Sequence, residues 1–270
     1  PQQSSSAASD VYKRQLDKLD RVIRFLPRPA DYLFVYLVSF FLLLLTMKVK
    51  SEYAFIGAIA FAFSTYLIII LGVGHNTKAL AIGYAPIVLA GLFKILDKKY
   101  LVGFIIGALG LGLQINANHY QMTYYFLMLV GLITIINVFD DFFKKKITDG
   151  LNKIGVVCAT TLFAISLNAT AILATQEYSD FSTRGSSEIS INPDGSEKKD
   201  LSGLSNEYIT EYSYGKLESF NLIVPRFMGG GSSELIDKDS DFVKELKNYD
   251  NESANIIYQN ARLYWGNQPI

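Results

Sequence analysis

The chain has 270 residues, 50% of them hydrophobic, with zero formal net charge and a mean hydropathy of +0.23. Zero net charge argues against a nucleic-acid binder, which needs a cationic face. The single cysteine, Cys158, lies inside an apolar run, which excludes a disulfide framework and a cysteine-based metal site.

The opening PQQSSSAASDVYKRQ has no apolar core and is no signal peptide. DVYKRQ is also the translation of GAT GTG TAT AAG AGA CAG, which resembles a transposon end used as an adaptor. Residues 1–15 are therefore expected to be disordered adaptor read-through. The chain, which closes on YWGNQPI, is expected to be a fragment open at both ends. In LDKLDRVIRFLPRP the residues Leu16, Leu19, Ile23 and Leu26 share one helical face with charges opposite. The pattern predicts an interfacial amphipathic helix over 16–30, stopped by two prolines.

From 31 to 174 the ionisable residues fall in short clusters between apolar runs at roughly 31–47, 53–73, 79–96, 100–115, 120–139 and 154–174. A bilayer core of about 30 Å needs about 20 apolar residues per helix. The expectation is an all-α polytopic membrane bundle of about six transmembrane helices. Lys48 and Lys50, then Lys94, Lys98 and Lys99, then Lys144, Lys145, Lys146 and Lys153 mark alternate loops, whereas the intervening loops carry only Lys78. Nine lysines against one put the lysine-rich loops in the cytoplasm.

Three polar segments then share the extracytoplasmic face: GHNTK (74–78), NANHYQ (116–121) and TQEYSDFSTRG (175–185). Both histidines of the chain, His75 and His119, fall there. Gly103, Gly107, Gly110 and Gly112 in GFIIGALGLG have the wrong spacing for a nucleotide loop and read as a close-packing helix face. Gly229, Gly230 and Gly231 read as a turn, with a backbone anion nest as the lesser option. Residues 175–270 are rich in Asp, Glu, Ser, Asn and Tyr and are expected to form an extracytoplasmic soluble segment of mixed α/β character. Within it, ESFNLIVPRF (218–227) reads as a strand, and a helix is expected between 240 and 265.

His75, Lys78 and Arg184 are candidate anion ligands, and Asn76, Asn116, Asn118, His119, Gln121 and Tyr178 candidate partners for sugar hydroxyls or phosphate oxygens. Glu177 is the candidate base, with Asp180 beside it. Ionisable groups at a bundle's mouth are costly and therefore candidates for function. For the same residues the bland alternative is helix capping and snorkelling to headgroups. A mouth of cations and amides suits a lipid phosphate bearing a polar headgroup. A divalent metal is compatible with the acidic segment, but no ligand spacing marks one.

LPRPADYLF, AFAFSTYLIII, GHNTKALAIGYAPIVLAG, INANHYQMTYYF, ATQEYSDFSTRGSSE, SYGKLESFNLIVPRFMGGGSSE and YWGNQP together resemble, in order, the bacterial YfhO-type membrane proteins in the form found in Bacteroidetes. That family in turn resembles the GT-C glycosyltransferases. The resemblance implies a bacterial cytoplasmic-membrane protein that takes a sugar from a polyprenyl-phosphate donor and passes it to a cell-envelope polymer or lipid acceptor. It also implies a main catalytic aspartate in a first extracytoplasmic loop upstream of Pro1, which would leave this fragment inactive alone. The alternatives are a transporter or flippase of lipid-linked saccharides, and a non-catalytic envelope assembly protein.

Overall fold

The computed structural model describes residues 15–179, 210–211, 213, 215–224, 226–231, 234, 236–246, 248–249, 251–261 and 263–264. The chain divides into a unit up to Gln176 and a second unit from Glu177. The expectations for residues 1–14, and those for Asp180 and Arg184, lie outside the described residues.

The described residues of the first unit are helices joined by short turns. A short helix at 15–23 (α1) leads through a proline-rich turn into α2 (Ala30–Thr46). There follow α3 (Ser51–Ala62), α4 (Thr65–Gly72), α5 (Asn76–Leu96), α6 (Tyr100–Asn116), α7 (Tyr120–Phe143), α8 (Ile147–Leu167) and α9 (Ala169–Ser179), the last of which runs into the second unit. Helices α5, α7 and α8 are long and apolar enough to cross a membrane, and α3 with α4 passes the same test only as a pair, bent by 41° at the break between them. Helices α2 and α6 are apolar but have 17 residues each. The last apolar run, expected at 154–174, is instead α8 at Ile147–Leu167, broken at Asn168. It starts early because Lys153 is not a loop residue. Its ammonium is buried between Asp141 and Asn137 of α7, at 2.5 and 2.6 Å.

The turns explain where the helices stop. Each of α2, α4, α5 and α7 ends with a left-handed residue: Lys48, Gly74, Lys98 and Lys145. That residue's N–H bonds back to the carbonyl three positions earlier, and the next N–H to the carbonyl five earlier, as in His75 N–H to Ile70 at 2.9 Å. This pair of bonds consumes the orphan carbonyls of the helix end. GHNTK is thus a complete helix-ending motif whose last part is the entry to α5. Such short connections make successive helices antiparallel. The turns at 47–50, 97–99 and 144–146 therefore gather at one end, where Lys98 pairs with Asp149 of α8 at 2.5 Å. The turns at 73–75 and 117–119 gather at the other.

Helix α5 is the hub. It contributes Ala79 to a core with α2 and α4, Tyr84 to one with α1, α2 and α6, and Val88 and Leu92 to one with α6, α7 and α8. Of its apolar window 61% is buried, against 17% for α7 and 22% for α8. The outer faces of α7 and α8 instead expose large side chains such as Met128, Leu132, Ile136 and Phe163. A contiguous apolar surface of this kind belongs against lipid.

Of the predicted close-packing glycines, Gly103, Gly107 and Gly110 line the α5–α6 seam, whereas Gly112 faces Leu167 of α8 and Leu16 of α1. A methyl added to Gly91 would sit 2.4 Å from the Gly107 nitrogen, and one on Gly103 would sit 2.8 Å from the Gly91 carbonyl oxygen. Only backbones without Cβ atoms approach this closely, the familiar packing mode of membrane helices.

In the second unit the described elements are a 3₁₀ turn (Glu218–Leu222), α10 (Asp241–Leu246), α11 (Asn251–Asn260) and an isolated bridge between Gly229 and Tyr264. Among the described residues of 218–227 no strand forms. The Glu218 carboxylate, 1% exposed, accepts from the Gly215 N–H and the Tyr264 hydroxyl. Asn221 Oδ1 accepts from the Met228 N–H at 3.0 Å, and Arg226 is left-handed. These bonds curl the segment inward, so no ladder partner is left to hold it extended. Among the described residues this unit is helix and turn, and the mixed α/β expectation is not shown.

Gly91→Ala is expected to force α5 and α6 apart and cost about 1–3 kcal/mol, the usual range for overpacking. Gly131→Ala in α7, where an added methyl meets nothing within 4 Å, is expected to be neutral or mildly stabilising. Thermal unfolding of the two purified variants in one detergent compares them, and equal midpoints would remove the seam from the account.

Candidate functional site

The site builds up at the end of the bundle where α2 and α5 begin and α6 ends. His75, Asn76 and Thr77 are exposed at the entry to α5. One turn on, Lys78 is half-buried with its ammonium 5.4 Å from the centre of the Tyr66 ring on α4. A cation over an aromatic face keeps its charge while shedding part of its water. Across from it, Asn118 takes the left-handed conformation that closes α6 and leaves His119 to cap α7. His119 Nδ1 accepts from the Met122 N–H at 3.4 Å, which assigns the ring proton to Nε2. Gln121 is exposed and donates to the Tyr125 hydroxyl at 3.3 Å.

Burial lowers the His119 pKa from its ordinary 6.5, and nearby Lys78 and His75 push it the same way. His119, Lys78 and His75 therefore share one electrostatic neighbourhood, with His119 neutral at pH 7. This is the connection between GHNTK and NANHYQ.

A group of carboxylates that sequence reasoning missed completes this end. Helix α1 turns Leu16 and Asp20 toward the bundle. Leu16 packs with Val35, Tyr84 and Leu113. Asp20 receives the Arg24 guanidinium, whose Nε lies 3.0 and 3.1 Å from its two oxygens, and the Tyr84 hydroxyl at 2.5 Å. Arg24 also donates to Asp31 Oδ2 at 2.9 Å. Asp17 accepts from Asn116 Nδ2 at 3.0 Å. Asp31 is 2% exposed and its Oδ1 is buried without a hydrogen-bond partner, as are the hydroxyls of Tyr32 and Tyr36 below it. Arg24 and Arg28 both lie over the Tyr32 ring, at 5.8 and 5.9 Å. The hydrogen bonds to Asp20 raise the already high Arg24 pKa further, so one fixed positive charge stands between two carboxylates.

The sequence signals for this group are modest but real. Asp20 and Arg24 are spaced i,i+4, and Asp31 is an ionisable residue at the very start of an apolar run. Assigning the charges of α1 to its solvent face concealed them.

Of the other predicted residues, Glu177 and Tyr178 are exposed on α9, within the second unit. No cluster of three or more His, Cys, Asp or Glu side chains among the described residues has the geometry to hold a metal ion. Comparison with protein-family models, curated proteins and solved structures returns no match.

Arg24→Ala would leave Asp20 and Asp31 buried without their cation. Removing one partner of a buried ion pair costs about 3–5 kcal/mol. The expected result is release of α1, read as protease sensitivity near residue 24 before the rest of the bundle unfolds. A second outcome concerns pH. The folded state resists a proton on His119 that the unfolded chain accepts at its ordinary pKa of 6.5. The His119 contribution to stability is therefore full above that value, falls as pH drops through it, and levels off below the folded pKa. His119→Gln should flatten this part of the profile of melting temperature against pH, while His75→Gln serves as an exposed control.

Proposed function

We propose that the protein is a polytopic bacterial inner-membrane protein that crosses the bilayer six times, with the lysine-rich turns in the cytoplasm. Its histidine end binds a polyprenyl-phosphate sugar on the extracytoplasmic side and passes the sugar to an envelope acceptor. The lysine asymmetry of the loops supports the orientation. The YfhO-type resemblance supports the donor class.

One observation carries the chemistry: the cation and imidazoles of Lys78, His75 and His119 occupy the same end of the bundle as the Asp20–Arg24–Asp31 group. Transfer from a phosphate-linked sugar needs a carboxylate to accept the acceptor's proton and cations to stabilise the departing phosphate. Lys78 is assigned to the phosphate. Asn76, Asn116, Asn118, His119 and Gln121 are assigned to the sugar. Asp31, with its unpartnered Oδ1, is assigned as the base ahead of Glu177. Because Asp31 is so deeply buried, an acceptor reaches it only when α1 shifts.

That sealing favours a second reading, a carrier of lipid-linked saccharides in which α1 closes over a bound headgroup and no bond is made. The two readings separate in proteoliposomes given a radiolabelled polyprenyl-phosphate sugar. Product formation that falls about 100-fold or more in Lys78→Ala and in Asp31→Asn, with both variants still membrane-inserted, is the expected result. Wild-type product yield in both would remove these residues from the site. Movement of label across the bilayer without a new glycosidic bond would establish the carrier instead.

A further inference from the structure

At the opposite end of the bundle, α2, α5 and α6 leave an open groove of about 380 Å³. Leu42 and Leu45 of α2, Ile87 and Ala90 of α5, and Ile105 and Leu109 of α6 form its apolar walls. Its polar lining is confined to Thr46 and Lys94, both within two residues of their helix ends. Three of the lysines at this end are answered: Lys98 pairs with Asp149, Lys144 with Asp140 and Lys153 with Asp141. Lys94 has no carboxylate partner among the described residues and sits at the groove's mouth, between the turns that carry Lys48, Lys50 and Lys99.

We propose that this groove binds one acyl chain of an anionic glycerophospholipid, with Lys94 receiving the lipid's phosphate. The inference rests on the membrane topology proposed above but not on its transfer chemistry. Length agrees with the occupant. From Ile87 to Lys94 the groove follows seven residues of α5, about 10 Å at 1.5 Å per residue. Half of a hydrocarbon core of about 30 Å is about 15 Å, so a groove beginning at headgroup level ends short of the midplane. It therefore matches a chain from a single leaflet. Charge agrees as well, since the cytoplasmic leaflet carries the anionic lipids and each lysine near it adds to the attraction. A zwitterionic lipid would gain the apolar walls and little from Lys94.

The test is native mass spectrometry of the purified full chain in detergent, titrated with phosphatidylglycerol or phosphatidylcholine. Phosphatidylglycerol should be retained preferentially. Lys94→Ala should reduce its retention about fivefold, whereas Lys50→Ala should have a smaller effect. Ala90→Trp, which fills the groove, and Thr46→Trp at its rim should each displace the lipid while leaving Lys94 in place. Equal retention of the two lipids, or full retention by Lys94→Ala, would overturn the proposal. So would a disulfide forming between two copies of Thr46→Cys, which would give the groove to a second protomer. Labelling of Lys99→Cys by an impermeant maleimide in intact cells would reject the topology, and the lipid site with it. Protection of that cysteine without a lipid preference would reject the lipid site alone.

Discussion

Everything else in the bundle is arranged around the contact between Gly91 of α5 and Gly107 of α6, where backbone meets backbone. Within a bilayer the lipid tails are as apolar as leucine, so burying apolar side chains gives helices little reason to associate. Close backbone approach supplies dispersion contacts that lipid cannot match, and it shortens the reach for interhelical hydrogen bonds. Two such bonds are made along α6. Gln114 Nε2 donates to the Ala81 carbonyl at 3.0 Å, and Asn168 Nδ2 donates to the Gly112 carbonyl at 3.1 Å. The second ties α8 onto α6 at the residue that ends α8. With α5 and α6 locked, α2 and α4 pack on one side and α7 and α8 on the other.

The same reasoning explains why charges occur in pairs that cross between helices. Lys153 with Asp141 joins α7 to α8, and Asp20, Arg24 and Asp31 join α1 to α2, with Tyr84 carrying the connection to α5. A buried ion pair adds little net stability, because desolvation offsets the attraction. It does fix register: each charge has one acceptable partner, and a one-turn slip would strand it in an apolar setting. The polar group on α1 thus determines how that helix docks, and docking in turn determines whether Asp31 is covered. Structure and candidate chemistry meet at this point.

How much of this was legible in the sequence depended on the range of the signal. Local signals carried far. The apolar runs located helices, and the glycine spacing in GFIIGALGLG identified a packing face. What failed was any inference that needed a partner from elsewhere in the chain. Lys153 counted as a loop lysine until Asp141 and Asn137 were seen to hold it within α8. The charges of α1 were turned to solvent by its amphipathic pattern, whereas Tyr84, which follows Asp20 by 64 residues, draws that carboxylate inward. Likewise 218–227 has the composition of a strand, yet the Glu218 side chain bonds to Gly215 and Tyr264 and rolls it into a turn. At the candidate site the histidine segments were visible as polar interruptions, and the carboxylates beside them were hidden by their pairing.

The turns themselves show a division of labour between the two ends. Gly74 and Asn118 occupy the left-handed positions at the histidine end, and both residue types tolerate that conformation. At the other end the equivalent positions are Lys48, Lys98 and Lys145, each paying about 1 kcal/mol or more that glycine would not. Lysine at this position has two compensations. Its charge lies beside the negative end of the helix dipole, and in the orientation proposed above it faces anionic headgroups. The strain is therefore spent where orientation is set, and the less strained turns are left where Lys78 and the imidazoles gather. A polar interruption such as GHNTK can serve as a binding wall because its own backbone is already satisfied: the carbonyls that end α4 are capped by Gly74 and His75, which leaves the side chains of the segment uncommitted to holding the turn.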